Sequence, residues 1–174
     1  MACEALESIV KSCDNNSGGI EKIWINQQDN IDVATVPAGT WEVSAITLVA
    51  GAPQYTPFEI RRNTGSYVED AAIDLVNGSS YVTKTISLMF HRRDQDKSQA
   101  IKIVGAGQQY LNAIVKDMNG KYWYFPFLQL SAVGEGSGTA RADGSKYSVT
   151  LVSEDDFLSY EIDPAAVTAV VPAI

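Results

Sequence analysis

Ser66 to Phe90 reads SYVEDAAIDLVNGSSYVTKTISLMF, two alternating runs on either side of Asn77-Gly78. Both residues of an Asn-Gly pair tolerate positive φ, so the pair between two such runs predicts a β-hairpin. A two-residue loop would set Ile73 opposite Val82, Ala71 opposite Lys84, Glu69 opposite Ile86 and Tyr67 opposite Leu88. On the other side Asp74 would meet Tyr81, Ala72 Thr83, Asp70 Thr85 and Val68 Ser87. Side chains alternate with period two, so one face is mostly apolar, with Glu69 and Lys84 predicted as a diagonal ion pair. The opposite face is small, hydroxylated and acidic: Asp70, Asp74, Thr83, Thr85 and Ser87.

Strand-like character extends in both directions from this ribbon. Upstream, 20–25, 31–36 and 43–50 are rich in β-branched residues, and 57–62 is a short strand candidate. Pro37 to Thr40 and Gly51 to Pro53 punctuate them. Downstream the period changes. Ala100, Ile101 and Val104 recur at helical spacing, predicting one helix over about 94–105 with Asp94 or Asp96 as cap and Gly105 as stop. A second hairpin is predicted at Asn119-Gly120, with Lys116 beside Trp123, Ile114 beside Phe125 and Val115 beside Tyr124. Both of its faces are apolar, so something must cover its outer side, either another layer of the chain or a neighbour. Gly134 to Gly138 reads as a flexible connection and 147–152 as another strand. Asp143-Gly144 is a third turn signal.

Many strands at short intervals, one helix and no βαβ rhythm predict a mainly β protein, an antiparallel β-sandwich or barrel-like fold with one flanking α-helix. The expected organisation is an N-terminal arm over 1–19, one domain over 20–162 and a C-terminal tail over 163–174. Both termini carry short apolar stripes without an obvious partner in the chain. They read as extended arms.

At 174 residues the chain can bury an ordinary core unaided. Apolar residues make up 45% and charged residues 20%, against wholesale disorder, and the formal charge of −8 disfavours adhesion to nucleic acid or anionic membrane. Cys3 and Cys13 are too few and too clustered for a disulfide framework and read as reduced thiols. With no secretory leader and no apolar run of spanning length visible, the expectation is a protein folded in a cytoplasm, without a membrane.

Chemistry is sparse. His91 has no nucleophile or motif pointing at it. One histidine and two clustered cysteines do not make a zinc set, and Glu154-Asp155-Asp156 lacks the spacing of a calcium loop, reading as a solvated acidic turn. Gly134 to Gly138 lacks the Lys-Ser/Thr ending of a phosphate loop. Tyr122 to Phe125 alternate between two faces, which suits core packing. The expectation is no enzyme, no metal and no cofactor. Arg61-Arg62 and Arg92-Arg93 are too few for DNA contacts but adequate for acidic neighbours across a subunit interface, where Val167, Val170 and Val171 of the tail are also expected.

The order of ribbon, single helix, hairpin with Gly120-Lys121-Tyr122-Trp123, Gly138-Thr139, then Lys146-Tyr147-Ser148-Val149-Thr150-Leu151 before Glu154 resembles small virion proteins of tailed bacteriophages. It resembles in particular tail-tube-like and ring-forming proteins of phages infecting Bacteroides-like hosts, including crAss-like phages, over roughly 43–154. The resemblance implies a β-sandwich with a flanking helix, assembled as a cyclic homo-oligomeric ring whose inner sheet lines a channel for genomic DNA, beside other phage tail or neck proteins in the virion. A channel that passes DNA without holding it should be non-basic, since each lysine or arginine on phosphate adds affinity. The Asp70, Asp74, Thr83, Thr85 and Ser87 face fits as a lumen lining; from the residues alone, the plain solvent side of an antiparallel sheet looks the same. The rival readings are a carbohydrate-binding or adhesin-like module, expected to expose coplanar aromatics, and an enzyme with a pocket around His91 or Glu154.

Overall fold

The computed structural model describes residues 8–105 and 109–172. In chain order the elements are β1 (Ile20–Gln27), β2 (Ile31–Thr35), β3 (Glu42–Val43), β4 (Ala45–Leu48), β5 (Thr56–Phe58), β6 (Gly65–Asp74), β7 (Ser79–His91), α1 (Gln95–Val104), β8 (Leu111–Asp117), β9 (Tyr122–Gly136), β10 (Lys146–Asp155), β11 (Tyr160–Ile162) and α2 (Pro164–Val170). The fold is mainly β, as predicted. One sheet runs β5-β1-β8-β9-β10-β7-β6, with β11 beside the start of β9 and β3 beside β11; β2 and β4 form a separate ribbon.

The long sheet folds over on itself, and β9 is the strand that turns the corner. Its first part pairs with β8 and β11, its second part with β10. The change comes at Pro126-Phe127, where Phe127 takes a φ of 53° and its N–H donates to Gln28 Oε1 at 3.2 Å. Strands that switch sheets at such irregularities make the corners of sandwiches. The closing seam is where β6 passes β1. A Cβ on Gly65 would lie 2.6 Å from Ile60 Cδ1 and 3.2 Å from Ile20 Cβ, so a side chain here would have to turn Ile60 aside and push Ile20 back, and glycine lets the chains approach without either.

Two cores result. The first lies between the folded halves and is filled by Ile20, Ile23 and Ile25 of β1, Ile86, Leu88 and Phe90 of β7, Phe125 and Leu128 of β9, and Tyr147, Val149 and Leu151 of β10, with Ile101 of α1 against one end. The second lies on the outer side of β1, β8 and β9. Trp24, Ile114 and Tyr124 are covered there by Val43, Ile46, Tyr55, Ile162, Ala166, Val167 and Val170. The cover demanded by the two apolar faces of the β8–β9 hairpin is thus another layer of the same chain.

Both predicted hairpins form, with different registers. In the first, Glu69 meets Lys84, Tyr67 meets Ile86 and Asp74 meets Ser79, so each β6 residue sits opposite a β7 residue two places earlier than expected. The cause is Asp74, whose carboxylate accepts from Val76 N at 2.9 Å, Asn77 N at 3.1 Å and Asn77 Nδ2 at 2.6 Å. This Asx turn draws Leu75 and Val76 into the loop. An even shift leaves the faces unchanged. In the second hairpin Ile114 meets Tyr124 and Val115 meets Trp123, a one-residue slip that exchanges faces. Asp117 Oδ1 accepts from Asn119 N and Lys121 N, Asp117 N–H reaches Lys121 O at 2.9 Å, and Gly120 takes φ 84°. The loop has three residues with a left-handed glycine, not two.

α1 matches its prediction, with Asp94 Oδ1 accepting from Lys97 N at 2.8 Å and Gly105 as the cap at the other end. Other expectations are corrected. The strand expected over 43–50 is split at Ser44, and that over 57–62 is confined to Thr56–Phe58, an edge strand that tolerates Pro57. Gly134 and Gly136 finish β9, paired to Ser148 and Lys146, and do not form a flexible connection. The C-terminal tail is not an extended arm: Asp163 caps α2 by accepting from Ala165 N, and Pro164 occupies its first turn. Of the predicted N-terminal stripe, residues 1–7 lie outside the described part, and Ile9 and Val10 are exposed. The segment before β1 touches the body through Asn119, which accepts from Ser17 N at 2.7 Å.

Candidate functional site

Alternation along β10 and β9 extends the acidic, hydroxylated face of β6 and β7 across four strands. Thr83 lies opposite Glu154, Thr85 opposite Val152 and Ser87 opposite Thr150; Thr150 lies opposite Ala132, and Ser148 opposite Gly134. Asp70, Asp74, Ser87, Ser148 and Glu154 are exposed, and Thr83, Thr85 and Thr150 half-buried, so this is an open surface of the subunit, not a packed one. It carries the carboxylates of Asp70, Asp74 and Glu154, and its lysine, Lys146, stands at the far end, opposite His91. Hydrogen bonds from Asn77 and Val76 hold the Asp74 carboxyl below its ordinary pKa, so it stays ionised into mild acid.

Sequence reasoning found the β6–β7 half of this face and missed the β10 half. The signal was present: Tyr147, Val149 and Leu151 alternate with Ser148 and Thr150, the same core-in, hydroxyl-out period, with Val152 departing from it. What was lacking was the knowledge that β10 sits beside β7.

Beneath the face, Lys84 is fully buried and its Nζ pairs with Asp155 Oδ2 at 2.8 Å. The expected Glu69–Lys84 pair is replaced by this one. Glu69 Oε1 instead accepts from Ser159 N at 2.8 Å and Ser159 Oγ at 2.6 Å. The expectation of a solvated acidic turn is therefore corrected at Asp155, a strand residue with a buried partner. Among the described residues no group of histidine, cysteine and acidic side chains is arranged to hold a metal.

Both edges of this four-stranded unit lack a further strand among the described residues: β6 pairs only with β7, and 131–136 of β9 only with β10. The ends of the unit differ in charge. Asp74, Glu154 and Asp156 gather at the end where the β6–β7 hairpin turns, while Arg61, Arg62, Arg92, Arg93 and Lys146 gather at the other. All four arginines are exposed. Arg93 pairs with Glu135 at 3.0 Å and lies 5.7 Å from the Tyr147 ring centroid; Arg92 takes φ 61° and its carbonyl accepts from Lys97 Nζ. His91 Nδ1 is buried without a partner among the described residues, and no nucleophile is brought to it.

Of the tail residues expected at a subunit interface, Val167 and Val170 are 2% and 3% exposed in the second core, with Val171 packed against it. The apolar stripe that had no obvious partner in the sequence has one in this chain. Exposed aromatics occur elsewhere. Trp41 lies with its ring within 10° of parallel to Tyr160 and beside Phe157, both at 5.9 Å between centroids.

No protein-family model matches the chain, and no curated protein matches it. Among solved structures, a similar chain belongs to one titled "Virion of native gene transfer agent (GTA) particle", at 10% identity and a TM-score of 0.41, covering 62% of this chain and 88% of that one. A likeness this slight assigns neither family nor function.

Proposed function

We propose that the chain is a structural subunit of a phage-type tail or neck that closes into a ring around a passage for DNA, with the β9–β10–β7–β6 face turned to the hole. One observation carries the reading: a broad exposed face rich in hydroxyl, small and acidic side chains, interrupted by Val68 and Tyr81, free of arginine, with Lys146 only at its far end, and bordered by two open strand edges. Each arginine or lysine on a phosphate releases counterions and adds affinity, so a surface that must not retain DNA is best built this way. The open edges of β6 and of 131–136 are different surfaces of one molecule, so their pairing is heterologous and closes a ring when the rotation allows. The proposed part is passive and performs no catalysis.

Negative-stain images of the purified chain should contain rings with a central hole. Replacing Asp70, Ser87 and Glu154 together by lysine should leave ring formation in place and make the rings retain double-stranded DNA in low-salt co-sedimentation. Rings of the triple variant that hold no more DNA than the parent sink the lumen assignment.

The parallel Trp41 and Tyr160 rings favour one second reading, a carbohydrate-binding module. It requires a monomer that binds glycans and loses them on Trp41→Ala.

A further inference from the structure

The β6–β7 hairpin runs past its neighbour. The last β10 residue paired to β7 is Asp155, opposite Val82, so everything from Leu75 to Tyr81 projects beyond the sheet. Its tip is apolar and bare: Ile73, Leu75 and Val76 are 70%, 89% and 93% exposed. A turn in water is ordinarily polar, and this loop places two aliphatic side chains at its apex. The Asp74 hydrogen bonds that draw them there also fix the loop, so ordering the tip costs little when it docks. From Gly65 to Val82 the ribbon carries Glu69, Asp70 and Asp74 and neither lysine nor arginine.

At the other end of the subunit a groove of about 510 Å³ is lined by Trp24, Pro57, Phe58, Ile60 and Pro172. Arg61 and Arg62 follow Ile60 directly, and Lys22 lines the rim. Against them stands Glu59; the Glu21 carboxylate is engaged by Lys116 at 2.7 Å. The rim is thus net basic in a chain whose formal charge is −8. The tip cannot reach its own groove. Ten residues of β6 separate them, about 30 Å of extended strand.

We propose that the Leu75-Val76 tip of one copy inserts in the Trp24–Phe58–Ile60 groove of a second copy, with Asp74 facing Arg61 and Arg62, so that copies join head to tail along the strand direction. Each molecule has one knob and one hole at opposite ends, so the contact is heterologous and, directed along the strands, passes from copy to copy. The axial sense of the stack rests on the ring reading above; the docking itself does not.

The test is disulfide trapping in the full chain with Cys3→Ser and Cys13→Ser. A Val76→Cys/Ile60→Cys pair should give, on mild oxidation, a ladder of dimers, trimers and longer species, where Val76→Cys alone gives dimers at most. Arg61→Glu with Arg62→Glu should cut the ladder about tenfold at low salt and much less at high salt, as expected for like charges facing Asp74 at a contact. Images of Val76→Asp should show single rings where the parent shows stacks. Rings without a 76–60 ladder overturn the docking and leave the ring reading standing. A ladder without rings does the reverse, and a chain that does neither overturns both.

Discussion

Asn112 is a single residue on which two layers depend. It is fully buried in β8, and its Oδ1 accepts from Tyr55 OH at 2.6 Å while Nδ2 donates to Tyr124 OH at 2.7 Å and Gln28 Oε1 at 3.1 Å. Gln28 in turn holds Phe127 N at the corner of β9. Asn112→Ala strands these partners in a dry site, and should cost about 2–4 kcal/mol in urea unfolding. Asn112→Asp would not rescue it, because a carboxylate brings no donor for Gln28 Oε1 and places a charge in a dry site. The tyrosines add a pH signature. Burial raises Tyr55, Tyr124 and Tyr67, the last to about 12, with Asp117 and Glu69 adding to the shift at Tyr67. A phenol raised in the folded state contributes fully below its unfolded value, about 10, and that contribution fades as pH climbs toward the folded value. Absorbance at 295 nm should therefore show a late tyrosine fraction ionising together with loss of near-UV dichroism above pH 10. An early, structure-neutral titration of all tyrosines would contradict the burial.

The Lys84–Asp155 pair is asymmetric in a way that mutation reads. Lys84 is buried completely, while Asp155 keeps 32% of its side-chain exposure. Removing the acid leaves a lysine in the core with no counter-charge; removing the lysine leaves an acid that can turn to water. Asp155→Asn should cost about 2–4 kcal/mol and Lys84→Met clearly less, measured by denaturant midpoint at constant slope. Equal losses would mean that the acid, too, depends on burial.

At the scale of elements, α2 is the largest revision. Seven residues with no i,i+4 charge pairs form a helix because Asp163 caps it, Pro164 presets its first turn, and Ala166, Val167 and Val170 fill the second core. Removing 164–174 should therefore lower the melting temperature and expose Trp24 and Tyr55 to quenchers; an unchanged melt would return the tail to the role of a loose arm. The pattern of what was legible follows from this. Elements decided by local chemistry were readable: α1 with Asp94 and Gly105, both hairpins, and the in-out period of β10. Registers were not, because Asp74 and Asp117 redirect loops that an Asn-Gly pair alone would make two residues long. α2 was not readable either, since its apolar face has meaning only against Trp24 and Ile114, distant in sequence. The acidic face was half legible for the same reason. Period two sorted Asp70, Thr83 and Thr85 to one side, but only the sheet order adds Thr150 and Glu154.

At the scale of the whole molecule, the proposed ring and the proposed stack depend on charge in opposite directions. Copies with a formal charge of −8 that turn Asp70, Asp74 and Glu154 toward one hole repel each other across it. Joining the tip of one copy to the Arg61-Arg62 rim of the next is attractive. Raising the salt concentration from 0.1 M to 1 M shortens the screening length from about 10 Å to about 3 Å, which weakens both effects. The ring contact, built from backbone pairing at strand edges, then loses its opponent and should become more populated. The axial contact loses its charge pairing and keeps only the burial of Leu75 and Val76. Light scattering with parallel negative-stain imaging should accordingly find more complete rings and shorter stacks at 1 M than at 0.1 M. Asp70→Asn with Glu154→Gln should mimic high salt in the rings alone, since neither carboxylate belongs to the proposed tip contact. Stacks that lengthen with salt would assign the end-to-end joint to apolar burial and remove Arg61 and Arg62 from it.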